Sequence, residues 1–159
     1  MKEIKIQELE NIKIGSAENK DAATGCTTTT FDLRMTAPNR EPVMDTAAVH
    51  AIEHLGATFL RNDAEWSGRV IYFGPMGCRT GFYLVAFGEL ESADVADLVR
   101  RMFAFIRDFE GEIPGAKPEE CGNYHDNDLV QAKWWARRYM ADTLEVLDEA
   151  HTYYPALLD

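Results

Sequence analysis

The stretch AVHAIEHLGATF, residues 48–59, decides the fold because it has the pattern of a helix with one apolar face and one reactive face. In the segment from Asp45 to about Asn62, apolar residues recur at helical spacing, and Asp45 is a residue type that caps helices. These apolar positions are Ala48, Val49, Ile52, Leu55 and Phe59. The segment is therefore predicted to be a helix that packs on a core and carries His50, Glu53 and His54 on a neighbouring face.

His50 and His54 are four residues apart, so on a helix their Cβ atoms lie about 6 Å from each other. Two imidazole nitrogens at this spacing can bind one metal ion at about 2.0 to 2.1 Å each. Glu53 lies beside them and is suited to act as a general base or acid next to the metal. The alternative is an ordinary solvated helix face, although the HxxEH order is also that of the inverzincin peptidases.

A metal site needs a third ligand, and the residue types leave several candidates: Cys78, Cys121, His125, His151 and the acidic residues. Two histidines and one cysteine would leave a fourth position open for water or substrate, which is the pattern of a catalytic site. Cys121 precedes Gly122 in a polar loop just before a helix, so it is either a ligand or a small buried residue.

Cys78 lies at the bend of a predicted hairpin. The strands are RVIYF (69–73) and GFYLVAF (81–87), and the connection between them, GPMGCRT, is rich in glycine. The glycines allow the backbone to approach a ligand closely, and Arg79 would favour the thiolate of Cys78 if its side chain turns the same way. The alternative interpretation is a tight turn with no chemical role.

The remaining segments complete an α+β pattern. Residues 2–14 alternate loosely as a first strand, residues 19–25 form a turn, and residues 26–35 form a second strand. A helix capped by Ser92 runs until Gly111 and Pro114, and a last helix is predicted from about Asn127 to Asp148. Strands and helices without strict alternation favour a single α+β domain over residues 1–159.

Composition excludes several classes of partner. The formal net charge of -11 and the pI near 4.8 argue against binding to nucleic acid or to an anionic membrane, since both require clustered Lys and Arg. The sequence contains no signal-peptide pattern and no apolar run of membrane-spanning length. Three scattered cysteines do not describe a disulfide framework, so we expect reduced thiols and a cytoplasmic protein.

The chain resembles the S-ribosylhomocysteine lyases, the LuxS family. Four blocks carry the resemblance in the family's order and at similar separations, from about residue 31 onward. They are FDLRMTAPN (31–39), HAIEHLGATFLRN (50–62), GPMGCRTGFYL (74–84) and EECGNYHDNDLVQAK (119–133).

The resemblance implies a site and a reaction. It implies a divalent metal, typically Fe2+ and replaceable by Zn2+ or Co2+, held by His50, His54 and Cys121. It assigns proton transfer to Glu53 and Cys78 and substrate binding to Arg34, with Arg79 beside Cys78 as a further candidate. The implied reaction releases homocysteine and 4,5-dihydroxy-2,3-pentanedione, the precursor of autoinducer-2, from S-ribosylhomocysteine.

The resemblance also implies an assembly. An antiparallel sheet with helices on one side, similar to that of metallopeptidases, would pack against the sheet of a second copy in a homodimer with active sites at the interface. The beginning of the chain departs from the family, whose members carry a serine and a histidine there for the substrate. Residues 1–25 contain no histidine, and their only serine is Ser16.

Two other functions compete with the lyase. An HxxEH metallopeptidase is one, but such an enzyme would use a downstream carboxylate as its third ligand where this chain offers Cys121. A non-catalytic homologue that binds a metal or a small molecule is the other, and it would need neither Glu53 nor Cys78. A helical glycine, Gly56, is unusual in the metal helix and costs about 1 kcal/mol of helix propensity relative to Ala.

Overall fold

The computed structural model describes residues 14–148 and 151–152, with side chains described from residue 18 onward. Four strands and three helices follow one another along this part of the chain. The strands are β1 (Ile14–Lys20), β2 (Thr27–Arg34), β3 (Val70–Pro75) and β4 (Gly81–Phe87). The helices are α1 (Thr46–Asn62), α2 (Ser92–Asp108) and α3 (Leu129–Tyr139).

The four strands form one antiparallel sheet in the order β1-β2-β4-β3. Phe31 of β2 lies opposite Leu84 of β4, and Phe73 of β3 lies opposite Leu84 on the other side. This register brings the large apolar residues of three strands onto one face, as the period of two along a strand requires. The predicted α+β class and the predicted hairpin between β3 and β4 are confirmed.

The helices cover the apolar face of the sheet. Phe31, Leu33, Phe82 and Leu84 of the sheet belong to one core with the apolar faces of the helices. In α1 the predicted stripe is buried at Ala48, Val49, Ile52 and Leu55, and Phe59 packs at its margin. This packing fixes the position of α1 on β3, which decides where the reactive face of α1 lies.

The other face of the sheet carries a mixed set of residues. Asp32 and Arg34 alternate with Phe31 and Leu33 along β2, so they project from the face opposite the helices. Tyr83 lies directly opposite Asp32 in the neighbouring strand and is 40% exposed. We call this side the outer face; its large exposed residues on β3 and β4 also include Tyr72 and Phe87.

Three boundaries differ from the sequence prediction. In the predicted first strand, residues 2–13 lie outside the described residues, while β1 continues to Lys20 because it pairs with β2 as far as Thr27. Helix α2 is capped by Glu91 rather than Ser92, because the Glu91 N–H donates to the Asp94 carboxylate at 2.8 Å.

The last predicted helix is also shorter than expected. It begins after Asp128, whose side chain accepts a hydrogen bond from the Gln131 N–H at 2.9 Å, and its α-helical part ends at Tyr139. A single π-helical turn, Met140–Leu144, follows, and Arg100 of α2 donates to its last carbonyl, that of Leu144, at 2.7 Å. No helix in the described part of the chain is both long and apolar enough to cross a membrane.

Candidate metal centre

His50 and His54 converge as their spacing predicts. Their Nε2 atoms lie 3.0 Å apart, and both residues are half-buried on the edge of α1. Two ligand atoms bound about 2.05 Å from one tetrahedral ion would lie about 3.4 Å apart. The two histidines therefore already have nearly the separation that a shared metal ion needs.

The other ring nitrogens explain which atoms are available to a metal. His50 Nδ1 lies 2.8 Å from the carbonyl of Asp126, and His54 Nδ1 lies 3.0 Å from the carbonyl of Pro114. A carbonyl only accepts hydrogen bonds, so each Nδ1 carries a proton, and in the neutral rings each Nε2 presents a lone pair. Two lone pairs at 3.0 Å repel each other unless a cation lies beside them.

Cys121 completes a set of three ligands. Its Sγ lies 3.4 Å from His50 Nε2, and the three ligand atoms of His50, His54 and Cys121 lie within 4.8 Å of one another. The Asn123 N–H points at the same sulfur at 3.4 Å. The donor set and its spacing fit a divalent transition metal with one open position.

The loop that carries Cys121 is held against α1 from both ends of the site. The Asp128 N–H donates to the carbonyl of Ala47 at 3.0 Å, and the Asp126 carbonyl meets His50 as described above. The Cys121 N–H donates to the carbonyl of Lys117 at 2.9 Å. The two contacts with α1 join residues 76 and 81 positions apart, so the third ligand could not be chosen by local pattern alone.

The other candidates for the third ligand lie elsewhere. His125 stacks on Tyr124 with ring centroids 3.9 Å apart, and His151 pairs with Asp148 at 2.7 Å. Within the described residues, His50, His54 and Cys121 are the only group of three whose ligand atoms meet in this way.

Glu53 lies between two clefts. One cleft is bounded by His50, Arg79, Asn123 and the hairpin residues Pro75 to Gly77. The other runs along β3 beside Arg61, Ser67 and Tyr72. A small molecule bound in the first cleft, beside His50, would therefore contact both Glu53 and Arg79. The second cleft has room for another part of the same molecule.

Cys78 belongs to a second cluster. Its Sγ lies 3.0 Å from the hydroxyl of Thr80, and Arg34 donates to that same hydroxyl at 2.7 Å. Arg34 also pairs with Asp32 through two hydrogen bonds of 3.0 and 2.6 Å. Asp32 and Arg34 project from the outer face, whereas Pro75 to Gly77 and Arg79, which flank Cys78, line the cleft beside His50.

The arginine that favours the thiolate of Cys78 is not the one that the sequence predicted. Partial desolvation raises the pKa of the Cys78 thiol, but the Thr80 hydrogen bonds and the charge of Arg34 outweigh it, so the pKa lies below its ordinary value. The cation that acts on the thiol is thus Arg34, 44 positions earlier in the chain, whereas Arg79 lines the cleft beside His50. Sequence proximity pointed to Arg79 because a strand pairing such as Arg34 with Gly81 cannot be seen locally.

Known proteins match this chain over most of its length. The family model of S-ribosylhomocysteinase (LuxS) matches residues 3–150. An S-ribosylhomocysteine lyase of Phocaeicola vulgatus is 51% identical over 136 residues, which cover 86% of this chain and 84% of the relative. Those of Finegoldia magna and Clostridium acetobutylicum are 57% and 54% identical over 127 residues, or 80% of each chain. Since the match covers most of the chain at about half identity, the chain belongs to the S-ribosylhomocysteinase (LuxS) family.

Proposed function

We propose that this protein is a metal-dependent carbon-sulfur lyase that converts S-ribosylhomocysteine into homocysteine and 4,5-dihydroxy-2,3-pentanedione. The observation that carries the proposal is the convergence of His50, His54 and Cys121, with an acid-base residue, Glu53, on the same helix edge. The relatives that bear the name S-ribosylhomocysteine lyase support the choice of substrate.

We propose His50, His54 and Cys121 as the ligands of one divalent ion, Fe2+ in the resident state and Zn2+ or Co2+ as substitutes. Such an ion supplies Lewis acidity, which makes the protons next to a substrate carbonyl easier to remove. Imidazole and thiolate ligands suit several divalent ions, so availability also decides which one binds.

The chain's own residues then move the protons. In the open-chain form of the substrate, Cys78 as thiolate removes a proton from the carbon next to the carbonyl and delivers it to the former carbonyl carbon. Glu53 carries protons between the two oxygens. Two such shifts move the carbonyl from C1 to C3. Removal of the C4 proton then expels the homocysteine sulfur from C5, and that sulfur gains a proton as it leaves.

Arg34 and Arg79 are proposed to hold the substrate from two sides. Arg79 lines the cleft with His50 and Glu53, so its guanidinium is placed to donate to substrate hydroxyls. Arg34 is buried with Asp32 and Thr80, and we propose that it supports the reacting end of the substrate next to Cys78.

We propose that the protein works as a homodimer in which the outer faces of two sheets meet. The outer face exposes Tyr72, Tyr83 and Phe87, and exposed aromatic residues are enriched in protein interfaces. Because Cys78 is linked through Thr80 to Arg34 of that face and the metal ligands begin on α1, we propose that each active site combines the metal cluster of one subunit with the Cys78 of the other.

The remaining properties follow the same proposal. One core unites the sheet and the helices, which supports a single domain over residues 1–159. Cys26, Cys78 and Cys121 are free thiols, which suits the reducing cytoplasm. A metallopeptidase is not favoured, because the third residue that meets the two histidines is a cysteine.

Homocysteine release from S-ribosylhomocysteine by anaerobically purified protein tests the proposal. We expect metal-dependent release that Glu53→Gln and Cys78→Ala each lower at least about a hundredfold, as the loss of an acid-base group does. Glu110→Gln and Cys26→Ser serve as matched controls, because both residues are exposed and neither belongs to the two clusters or lines the two clefts, so release should be unchanged. Release that persists in either variant of the first pair would refute the roles given to these residues.

A further inference from the structure

A continuous chain of polar contacts leads from β2 to the sulfur of Cys78. Asp32 accepts two hydrogen bonds from Arg34, Arg34 Nη1 donates to Thr80 Oγ1 at 2.7 Å, and Thr80 Oγ1 lies 3.0 Å from Cys78 Sγ. Asp32, Arg34 and Thr80 are all more than 90% buried. The buried hydroxyl of Thr80 therefore lies between a cation and a thiol, where few acceptors are available for its single proton.

The direction of the Thr80 proton follows from its neighbours. The guanidinium of Arg34 only donates, so the Thr80 oxygen accepts and its own proton remains to be placed. The other acceptor in reach is the thioether of Met76 at 4.0 Å, which is farther away and a weak acceptor. A thiolate at Cys78 has no proton to give, so in that state Thr80 must be the donor.

We propose that Thr80 is a positioning residue that holds Cys78 in its thiolate form, by accepting from Arg34 and donating to the sulfur. The inference rests on the proposed role of Cys78 in proton transfer and adds the residue that prepares Cys78 for that role. Nothing in the pattern GPMGCRTG separates this threonine from an ordinary turn residue, because its partner Arg34 lies 46 positions away.

The surroundings of the sulfur agree with this assignment. Arg34 and Asp32 of β2, Tyr83 of β4 and the adjacent Arg79 are the charged or titratable groups around Cys78 in the described chain. Burial raises the pKa of Tyr83, as do the charges of Asp32 and Cys78, so Tyr83 stays neutral when the thiolate forms. The hydrogen bonds from Thr80 and the charge of Arg34 act in the opposite direction to desolvation at Cys78.

The test is the rate of iodoacetamide alkylation at Cys78, followed against pH by peptide mass spectrometry without substrate. Thr80→Val keeps the shape and removes the hydroxyl, so we expect the pH midpoint of alkylation to rise by at least about one unit. Thr80→Ser keeps the hydroxyl, and its midpoint should stay within about 0.3 unit of wild type. An unchanged midpoint in Thr80→Val would overturn the inference, as would an equal rise in Thr80→Ser.

Two controls keep the test decisive. Thr143→Val makes the same change at a buried threonine whose hydroxyl has no hydrogen-bond partner in the described structure, and it should leave the Cys78 midpoint in place. If Thr80→Val does not fold, Thr80→Ala removes the same hydroxyl.

Alkylation needs no turnover, so the test separates this inference from the proposed function. An inactive wild type would contradict the lyase alone, while an active wild type with an unmoved Thr80→Val midpoint would contradict this inference alone.

Discussion

The loop that contains Pro114 and Gly115 contacts the Nδ1 side of the His54 ring. The carbonyl of Pro114 accepts the Nδ1 proton of His54, and the next residue, Gly115, has a φ of +77°. A Cβ at Gly115 would lie 2.7 Å from His54 Nδ1. Glycine at this position therefore meets two requirements, a left-handed backbone and close approach to a metal ligand.

Substitution of Gly115 should weaken metal binding more than it weakens the fold. We expect Gly115→Ala to lower affinity for Zn2+ or Co2+ by about ten- to a hundredfold, as loss of a group that orients a metal ligand does. Gly25→Ala is the matched control, since Gly25 has a φ of +71° and open space around its Cβ position. Competition with a chromophoric chelator measures both variants, and equal affinities would contradict the argument.

Only part of the site could be predicted residue by residue. His50, Glu53 and His54 follow from a repeat of 3.6 along one helix, and the structure brings the two histidines together accordingly. Thr80 and Gly115 were missed, because the role of each depends on a residue far away in the chain, Arg34 for Thr80 and His54 for Gly115. The carbonyl of Pro114, for example, is 60 positions from His54.

At the level of elements, α1 approaches β3 most closely where Gly56 faces Phe73. A Cβ at Gly56 would lie 2.4 Å from the ring of Phe73. That ring cannot move away easily, since it is buried and stacked on Phe82 with centroids 5.1 Å apart. The ring of Phe73 thus occupies the space that a side chain at position 56 would need. This contact explains why a glycine is present in the helix despite its low helix propensity.

Gly56→Ala should therefore destabilise the protein even though alanine is the better helix former. We expect overpacking to lower the free energy of unfolding by about 1 to 3 kcal/mol, which exceeds the gain of about 1 kcal/mol in propensity. In a Phe73→Leu background the same substitution should cost less, because the smaller side chain leaves room. Urea denaturation of the four proteins measures the coupling, and a Gly56→Ala variant more stable than wild type would show that the contact is not tight.

Elements with a clear local sequence pattern were predicted well, whereas elements whose bounds depend on tertiary contacts were not. Helix α1 and the hairpin of β3 and β4 have strong periodicity and clear turn residues, so their bounds agree with the prediction to within two residues. The π-helical turn after Tyr139 has no such signal, and its last carbonyl is bound by Arg100 of α2. Tertiary contact, rather than propensity, decides how the last helix ends.

On the scale of the whole molecule, the two reactive clusters are built on different elements. The metal ligands are on the edge of α1, and Cys78 joins Arg34 and Asp32, which project from the outer face. The antiparallel sheet and the helices that cover it were predictable from periodicity, but the side of the sheet that each cluster faces depends on register. In the proposed homodimer, a second subunit on the outer face would complete each site.

Coexpression of two inactive variants with different tags tests this account most directly. A dimer of one Glu53→Gln subunit and one Cys78→Ala subunit has intact Glu53 in one chain and intact Cys78 in the other. Sites formed across the interface predict that the purified mixed dimer releases homocysteine at about half the wild-type rate, since one of its two sites is intact. A mixed dimer no more active than either parent would contradict the assembly of each lyase centre from clusters of two different subunits.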